Sequence, residues 1–243
     1  MAEVLLVHGS CHGAWCWEET LPLLNQMGHH ARAIDLPGHG ADTTPVAEVT
    51  LDAYAHAIVD ALAQTTVLVG HSMGGYAIAA AARLAPEKTA QLIYLCAYVP
   101  QDGLSLAQMR MQAPEQPLLP AVRMRRDGMS FTIDPEAARD LFYQDCDVET
   151  ADRAVARLCP QATAPTNVAF QTTPELAALP RHYIRCLKDQ TIPPAYQVTM
   201  TQDWPKEDVQ EMACGHSPFY ADPTGLARRL DKAIRGIDGR QRF

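Results

Sequence analysis

Over its first hundred residues the chain alternates short apolar runs with segments of helical periodicity. "EVLLVHG" reads as a strand stopped by Gly9. "AWCWEETLPLLNQMG" spaces its apolar residues as a helix does and stops at Gly28. "HHARAIDLPGHG" is a strand broken at Pro37 and Gly38, and "TLDAYAHAIVDALAQ" is a helix with Thr50 as its N-cap. "TTVLVGHS" is a strand that runs straight into the helical "MGGYAIAAAARLAPE", and "TAQLIYLCAYVP" is a strand ended by Pro100. Unbroken apolar strands between helices indicate a parallel sheet covered on both faces. The pattern predicts an α/β, doubly wound fold.

That alternation stops between positions 101 and 180, where prolines recur at 114, 117, 120, 135, 160, 165, 174 and 180. "DPEAARDLFYQ" and "VETADRAVARL" are helical patterns with capping residues at their heads. No convincing buried strand is legible here, so the stretch reads as a mostly helical insertion. Strand-and-helix alternation resumes with "RHYIRCLKDQTIP", "KEDVQEMACGHSPFY" and the amphipathic "PTGLARRLDKAIRGI". The expected division is a core of residues 1–100 and 181–243 interrupted by a cap of residues 101–180.

Composition narrows the classes of function. The 243 residues are 47% hydrophobic and 20% charged, which suits one globular domain with an insertion. The net charge is −8, and the densest basic stretch is only Arg123-Met124-Arg125-Arg126, so no nucleic-acid partner is expected. The opening "MAEVLLVHGS" has an apolar run only from Val4 to Val7, too short for a signal peptide, and no stretch could cross a bilayer. A cytoplasmic location is therefore expected, with no membrane partner. Seven scattered cysteines without a CxxC pair read as reduced, buried thiols, and no Cys/His set has metal-ligand spacing.

Gly70-His71-Ser72-Met73-Gly74 joins a buried strand to a helix. A serine there sits on a sharp turn, with its hydroxyl thrust out at the carboxyl end of the sheet. The following helix points its positive end at the same place. Such a serine needs a base, and in this arrangement histidine and acid follow in the order Ser, Asp, His. Of nine histidines only His182 and His216 follow Ser72. His182 falls on the polar phase of a strand start, whereas His216 lies in a turn between the last strand and the last helix. Asp189 stands at the end of the preceding strand, which favours it over Asp203 and Asp208 in a polar connection. The expected roles are Ser72 as nucleophile, His216 as general base and acid, and Asp189 as orienter.

An oxyanion formed during attack needs two donors. The backbone N–H of Met73 follows the nucleophile, and the loop "HGSCHGAW" after the first strand offers the N–H of Ser10. The side chains of Ser10 and Cys11 are placed in the pocket wall, with His12 and His71 beside them. His8 is read as a brace of the loop.

"VLLVHGSCHGAWCW", "GHHARAIDLPGHG", "VLVGHSMGG", "YLCAYVP" and "GHSPF" together resemble the α/β-hydrolase superfamily. More narrowly they resemble the hydroxynitrile lyase and plant methylesterase family with its bacterial esterase relatives. The likeness spans most of the chain except the insertion. It implies a six-stranded, mostly parallel sheet flanked by helices with a helical cap, a triad on Ser72, Asp189 and His216, oxyanion amides on Ser10 and Met73, and no cofactor. The lyases of that family resemble His-Thr where this chain has His8-Gly9. They carry a lysine where this chain has Ser217, and tend to an acidic residue where it has His71. These departures favour the esterase branch.

The resemblance thus implies a serine carboxylesterase acting on small esters through an acyl-enzyme. Tyr98, Leu118, Leu119, Phe131, Phe142, Tyr143 and Phe170 are candidates to line its pocket. A lyase-type or acyl-transfer reaction at the same triad, or a receptor-like ligand-binding role, are the alternatives. A dehalogenase is excluded, because those relatives place aspartate where Ser72 stands. The expected partner is a small-molecule ester, and a homodimer is open.

Overall fold

The structure is a computed structural model that describes residues 1–240. Its sheet is built from β1 (Glu3–Val7), β2 (His30–Ile34), β3 (Thr66–His71), β4 (Thr89–Leu95), and, after the insertion, two more strands at Arg181–Cys186 and Val209–Met212. The spatial order is β2, β1, β3, β4, then these last two, and every pairing is parallel. The polarity puts the carboxyl ends of all six strands on one edge, where Val7, His71, Leu95 and Cys186 release the chain into loops.

Alternation along each strand divides the core in two. On one face Leu5, Val7, Leu68, Leu92 and Tyr94 pack beneath the helices α2 (Leu51–Asp60) and α3 (Gly74–Leu84). On the other, Val4, Leu6, Val67, Val69 and Ile93 pack against α1 (Thr20–Gln26) and the final helix at Pro223–Arg240. Both faces are covered, as continuous apolar strands require. Thr50 caps α2 by accepting from the N–H of Ala53 at 3.0 Å. The helical pattern read after Gly13 starts later than its apolar spacing suggested: Ala14–Trp17 form one 3₁₀ turn, and α1 begins at Thr20.

The insertion departs from the sheet after β4. It comprises α4 (Leu106–Gln112), β5 (Val122–Met124), β6 (Ser130–Ile133), α5 (Pro135–Phe142), α6 (Val148–Ala156), β7 (Gln161–Ala162), α7 (Ala164–Asn167) and α8 (Pro174–Ala178). Asp134 and Asp147 cap α5 and α6 by accepting backbone N–H bonds. α5 and α6 fall on the two helical patterns read in the sequence, whereas α4, α7 and α8 were not read individually, and β5, β6 and β7 add a small antiparallel sheet that the reading did not include. Those strands are two to four residues long, too short to show a period of two. The chain then returns to the main sheet as β8 (Arg181–Cys186), α9 (Pro194–Met200), β9 (Val209–Met212), α10 (Pro218–Ala221) and α11 (Pro223–Arg240). Among the described residues no helix is long and apolar enough to cross a membrane.

The first turn of α3 lies almost in contact with β1. A Cβ on Gly74 would stand 2.7 Å from the carbonyl oxygen of His8 and 2.9 Å from that of Val7, both backbone atoms. Gly74→Ala is therefore expected to destabilise the protein by about 1–3 kcal/mol through overpacking. Urea unfolding measures this directly, and wild-type stability in the variant would contradict the packing described.

Candidate active site

Ser72 sits between β3 and α3 with φ of +55°, a left-handed conformation that non-glycine residues rarely take. The turn is held on every side. The N–H of Ser72 donates to the carbonyl of Leu95 at 3.2 Å, and its own carbonyl accepts from Gly75 and Tyr98 at 3.2 and 3.1 Å. This fixes the hydroxyl at the carboxyl edge of the sheet, where His216 and Asp189 meet it.

His216 lies in the loop between β9 and α10, and Asp189 three residues beyond β8. The Nδ1–H of His216 donates to Asp189 Oδ2 at 2.8 Å, and the Ser72 hydroxyl donates to Nε2 at 3.1 Å. All three side chains are buried. Asp189 is fully engaged. Its Oδ1 accepts from the N–H groups of Thr191 and Ile192 at 2.7 and 2.9 Å, and its Oδ2 also accepts from Gln197 Nε2 at 2.9 Å. Gln197 is wholly buried and reaches back to the N–H of Cys186 at 2.9 Å, tying the acid to the end of β8. Sequence reasoning missed Gln197, because nothing local distinguishes a helical glutamine that points inward. Asp208, by contrast, precedes β9 and so belongs to the amino edge of the sheet. His182 is likewise at the start of β8.

The histidine loop is clamped through its own backbone. The carbonyl of His216 accepts from His71 Nε2 at 2.8 Å and from the Cys96 thiol at 3.5 Å. The cap adds two ties: Asp145 accepts from the N–H of Gly215 at 2.6 Å, and Gln144 donates to the carbonyl of Lys188 at 2.7 Å. Phe142 stacks on the His216 ring at 5.7 Å between centroids. The donor atoms of His71, Cys96 and His216 lie within 4.8 Å of one another. Their chemistry is not that of a ligand set. Both His216 nitrogens are engaged in the bonds above, and burial pushes the Cys96 thiol up to about 12.

The loop after β1 is equally rigid. Its His12 donates from Nδ1 to the carbonyl of Ser10 at 2.8 Å and accepts from the Tyr143 hydroxyl at Nε2, 2.7 Å. His8 donates from Nδ1 to the carbonyl of Gly9 and accepts from the N–H of Leu36 at 3.1 Å, the bracing role expected of it. Asp35 ties this loop to the next one, accepting from the N–H of Ala14 at 2.6 Å and of Ala41 at 3.0 Å. Among the described residues the N–H groups of Ser10 and Met73 donate to no protein acceptor, as amides reserved for an oxyanion would. A Cβ on Gly9 would stand 2.8 Å from Ser72 Cβ and 2.9 Å from His71 Nδ1, so the threonine of the lyase pattern has no room here.

A cavity of about 270 Å³ opens over Ser72 and His216. Ser10, His12, His71, Met73, Tyr98, Leu118, Leu119, Phe131 and Phe142 line it as expected. Three of the expected residues do not. Cys11 is buried in the second core, with φ of +63° turning it away from the cavity. Tyr143 lies behind His12, which accepts from its hydroxyl, and packs edge-on against Phe142 without lining the cavity itself. Phe170 packs edge-on against Tyr76 and beneath the Arg83 guanidinium in the first core. The sequence reading left out Leu106, Ala107, Arg110, Val122, Met124, Thr163, Thr166, Asn167 and Thr191, which complete the wall.

A family model described as "Alpha/beta hydrolase family" matches residues 4–229. Methylesterase 1 of Arabidopsis thaliana is 29% identical over 242 residues, an alignment covering 92% of each chain. A pyrethroid hydrolase of Sphingobium wenxiniae is 28% identical over 244 residues, covering 95% of this chain and 86% of that one. Among solved structures, a pyrethroid hydrolase from Sphingobium faniae JZ-2 superposes with a TM-score of 0.86 at 27% identity, covering 98% of this chain and 99% of that one.

Burial holds the histidines around the site neutral. It lowers His12 to about 4 and depresses His8, His39 and His71 as well. The unfolded chain binds protons on these rings from about pH 6.5 downward, while the folded chain does not. Their contribution to stability is therefore complete above that pH and is lost as pH falls toward the folded values. The urea-unfolding free energy is expected to be lower at pH 5.5 than at pH 7.5, a window above most carboxylate titration. Equal or greater stability at pH 5.5 would contradict neutral burial of these rings.

Proposed function

The chain belongs to the alpha/beta hydrolase family, and on that premise we propose that it is a serine carboxylesterase whose Ser72, His216 and Asp189 hydrolyse small carboxylic esters. The observation that carries this reading is the position of His216, whose two ring nitrogens bond Asp189 and Ser72 at once. The bond from Nδ1 fixes the tautomer, so the lone pair of Nε2 faces the hydroxyl proton.

In the proposed reaction Ser72 Oγ attacks the ester carbonyl carbon while its proton passes to His216 Nε2. Negative charge builds on the carbonyl oxygen, which the N–H groups of Ser10 and Met73 would receive. Collapse of the tetrahedral intermediate breaks the bond to the alcohol oxygen, and His216 returns the proton to that leaving group. Water then attacks the acyl-enzyme by the same route and releases the acid and the free serine. Asp189, bonded to Nδ1, orients the ring and stabilises the imidazolium formed in each step.

The cavity supports a small, largely apolar substrate, since its volume lies near the lower end of ligand pockets. The names of the relatives, methylesterases and a pyrethroid hydrolase, support an ester as the substrate. All seven cysteines are free thiols, which suits a reducing, cytoplasmic setting.

Ser72→Ala is expected to abolish hydrolysis of p-nitrophenyl acetate and of methyl esters while the protein stays folded. Asp189→Asn is expected to lower kcat by about 10⁴-fold with little change in KM. Initial rates with each ester, run beside mandelonitrile, test both. Ester hydrolysis surviving in Ser72→Ala, or cyanide release from mandelonitrile in the native protein, would contradict the reading.

A further inference from the structure

Among the described residues that line the substrate cavity, Arg110 is the one drawn from Asp, Glu, Lys and Arg, and the ester-hydrolysis reading gives it no role. It lies on α4, and its side chain lines the same cavity as Ser72 and His216. The helix that carries it is firmly seated. Ser105 and Gln108 form a capping box at its start. Leu106 and Met109 are buried in the core, and the Tyr196 hydroxyl donates to the carbonyl of Met109 at 2.8 Å.

Its guanidinium forms no ion pair among the described residues. Seven arginines, Arg83, Arg123, Arg139, Arg153, Arg157, Arg185 and Arg235, meet a carboxylate, while Arg32, Arg125, Arg126, Arg181, Arg228 and Arg229 form no such pair among the described residues. Arg110 meets none among the described residues, and its Nε is the one arginine nitrogen that is shielded from solvent without any acceptor. No aspartate or glutamate lines the cavity that could neutralise it. Around it the wall is apolar or neutral: Leu106 on its own helix, Tyr98, and Thr166 with Asn167 on α7, which packs against α4. Its positive charge acts on the Tyr98 phenol, easing ionisation against the larger opposing effect of burial.

A partly buried guanidinium without an acceptor is costly, and its planar fork matches a carboxylate better than any other small group. From this cation in an acid-free cavity we propose that the substrate is an ester carrying a second, ionised carboxyl group, a monoester of a dicarboxylic acid, which Arg110 holds while Ser72 attacks the ester carbonyl. This inference rests on the ester-hydrolysis reading above and specifies its substrate class. Arg110 is a binding residue in it, and the hydrolysis itself proceeds as already written, with water entering and the alcohol leaving. The charge selects at the first irreversible step, acylation, so it appears in kcat/KM and not in product release.

The experiment compares kcat/KM for monomethyl succinate, glutarate and adipate with that for methyl butyrate, pentanoate and hexanoate. The wild-type protein, Arg110→Gln and Arg110→Lys are assayed in parallel, each confirmed as folded by circular dichroism. Wild type is expected to favour the anionic member of the best-matched pair by about 10- to 100-fold, mainly through KM. Arg110→Gln is expected to bring that ratio close to one, and Arg110→Lys to restore part of it, since the charge returns without the fork. Cleavage of the neutral esters with no anionic preference, or a preference that survives Arg110→Gln, would overturn this inference and leave the esterase reading intact. Failure to cleave either series would overturn the esterase reading and this inference with it. If Arg110→Gln does not fold, the ratio measured in Arg110→Lys against wild type decides the matter.

Discussion

One backbone turn governs the architecture of this protein. Ser72 holds a left-handed conformation between the last residue of β3 and the first turn of α3, and it can do so only because α3 lies against β1 with no side chain at Gly74. The same contact places the N–H of Met73 beside the loop that follows β1, so the proposed nucleophile and the proposed oxyanion amides are set by a single close approach. A turn of this kind stores strain, and the bonds from Leu95, Gly75 and Tyr98 to the Ser72 backbone hold it in place.

From that point outward the site is a set of mutual braces. His71 belongs to the nucleophile strand and clamps the carbonyl of His216, so the base cannot drift relative to the serine. Gln197 and two loop amides fix Asp189, and Asp145 with Gln144 ties both triad loops to the cap. Tyr143, although outside the cavity, fixes His12 and through it the Ser10 peptide. The histidines in this network stay neutral because they are buried, which lets them act as directional hydrogen-bonding groups without adding charge beside an oxyanion.

Much of this could be read from the chain before its structure. The order of Ser72, Asp189 and His216, and their places at strand ends and in the last loop, follow from local pattern, and the structure brings them together. The parallel sheet is equally plain, because its inner strands β1, β3 and β4 are almost wholly buried and read as apolar runs, whereas the count of six strands comes from the family resemblance, the edge strands β2 and β9 being mixed in polarity and half-exposed. The cap is different. Its strands are too short to declare themselves, and hydrophobicity alone does not say which side of a wall a residue occupies. For that reason the sequence points to Cys11, Tyr143 and Phe170 as pocket residues and gives no sign of Leu106, Val122 and Met124. Gln197 and Arg110 carry no local signal at all. Their significance lies in what surrounds them, a buried carboxylate for one and an acid-free cavity for the other.

The central claim is that Ser72 forms the covalent intermediate with its oxygen activated by His216. The most direct test is rapid-quench mass spectrometry of the protein mixed with p-nitrophenyl acetate, followed by peptide mapping. The account predicts one acetyl group on the peptide containing Ser72, appearing with a burst of nitrophenol and absent from Ser72→Ala. Turnover without an acetylated Ser72, or acetylation at another residue on the catalytic timescale, would contradict it.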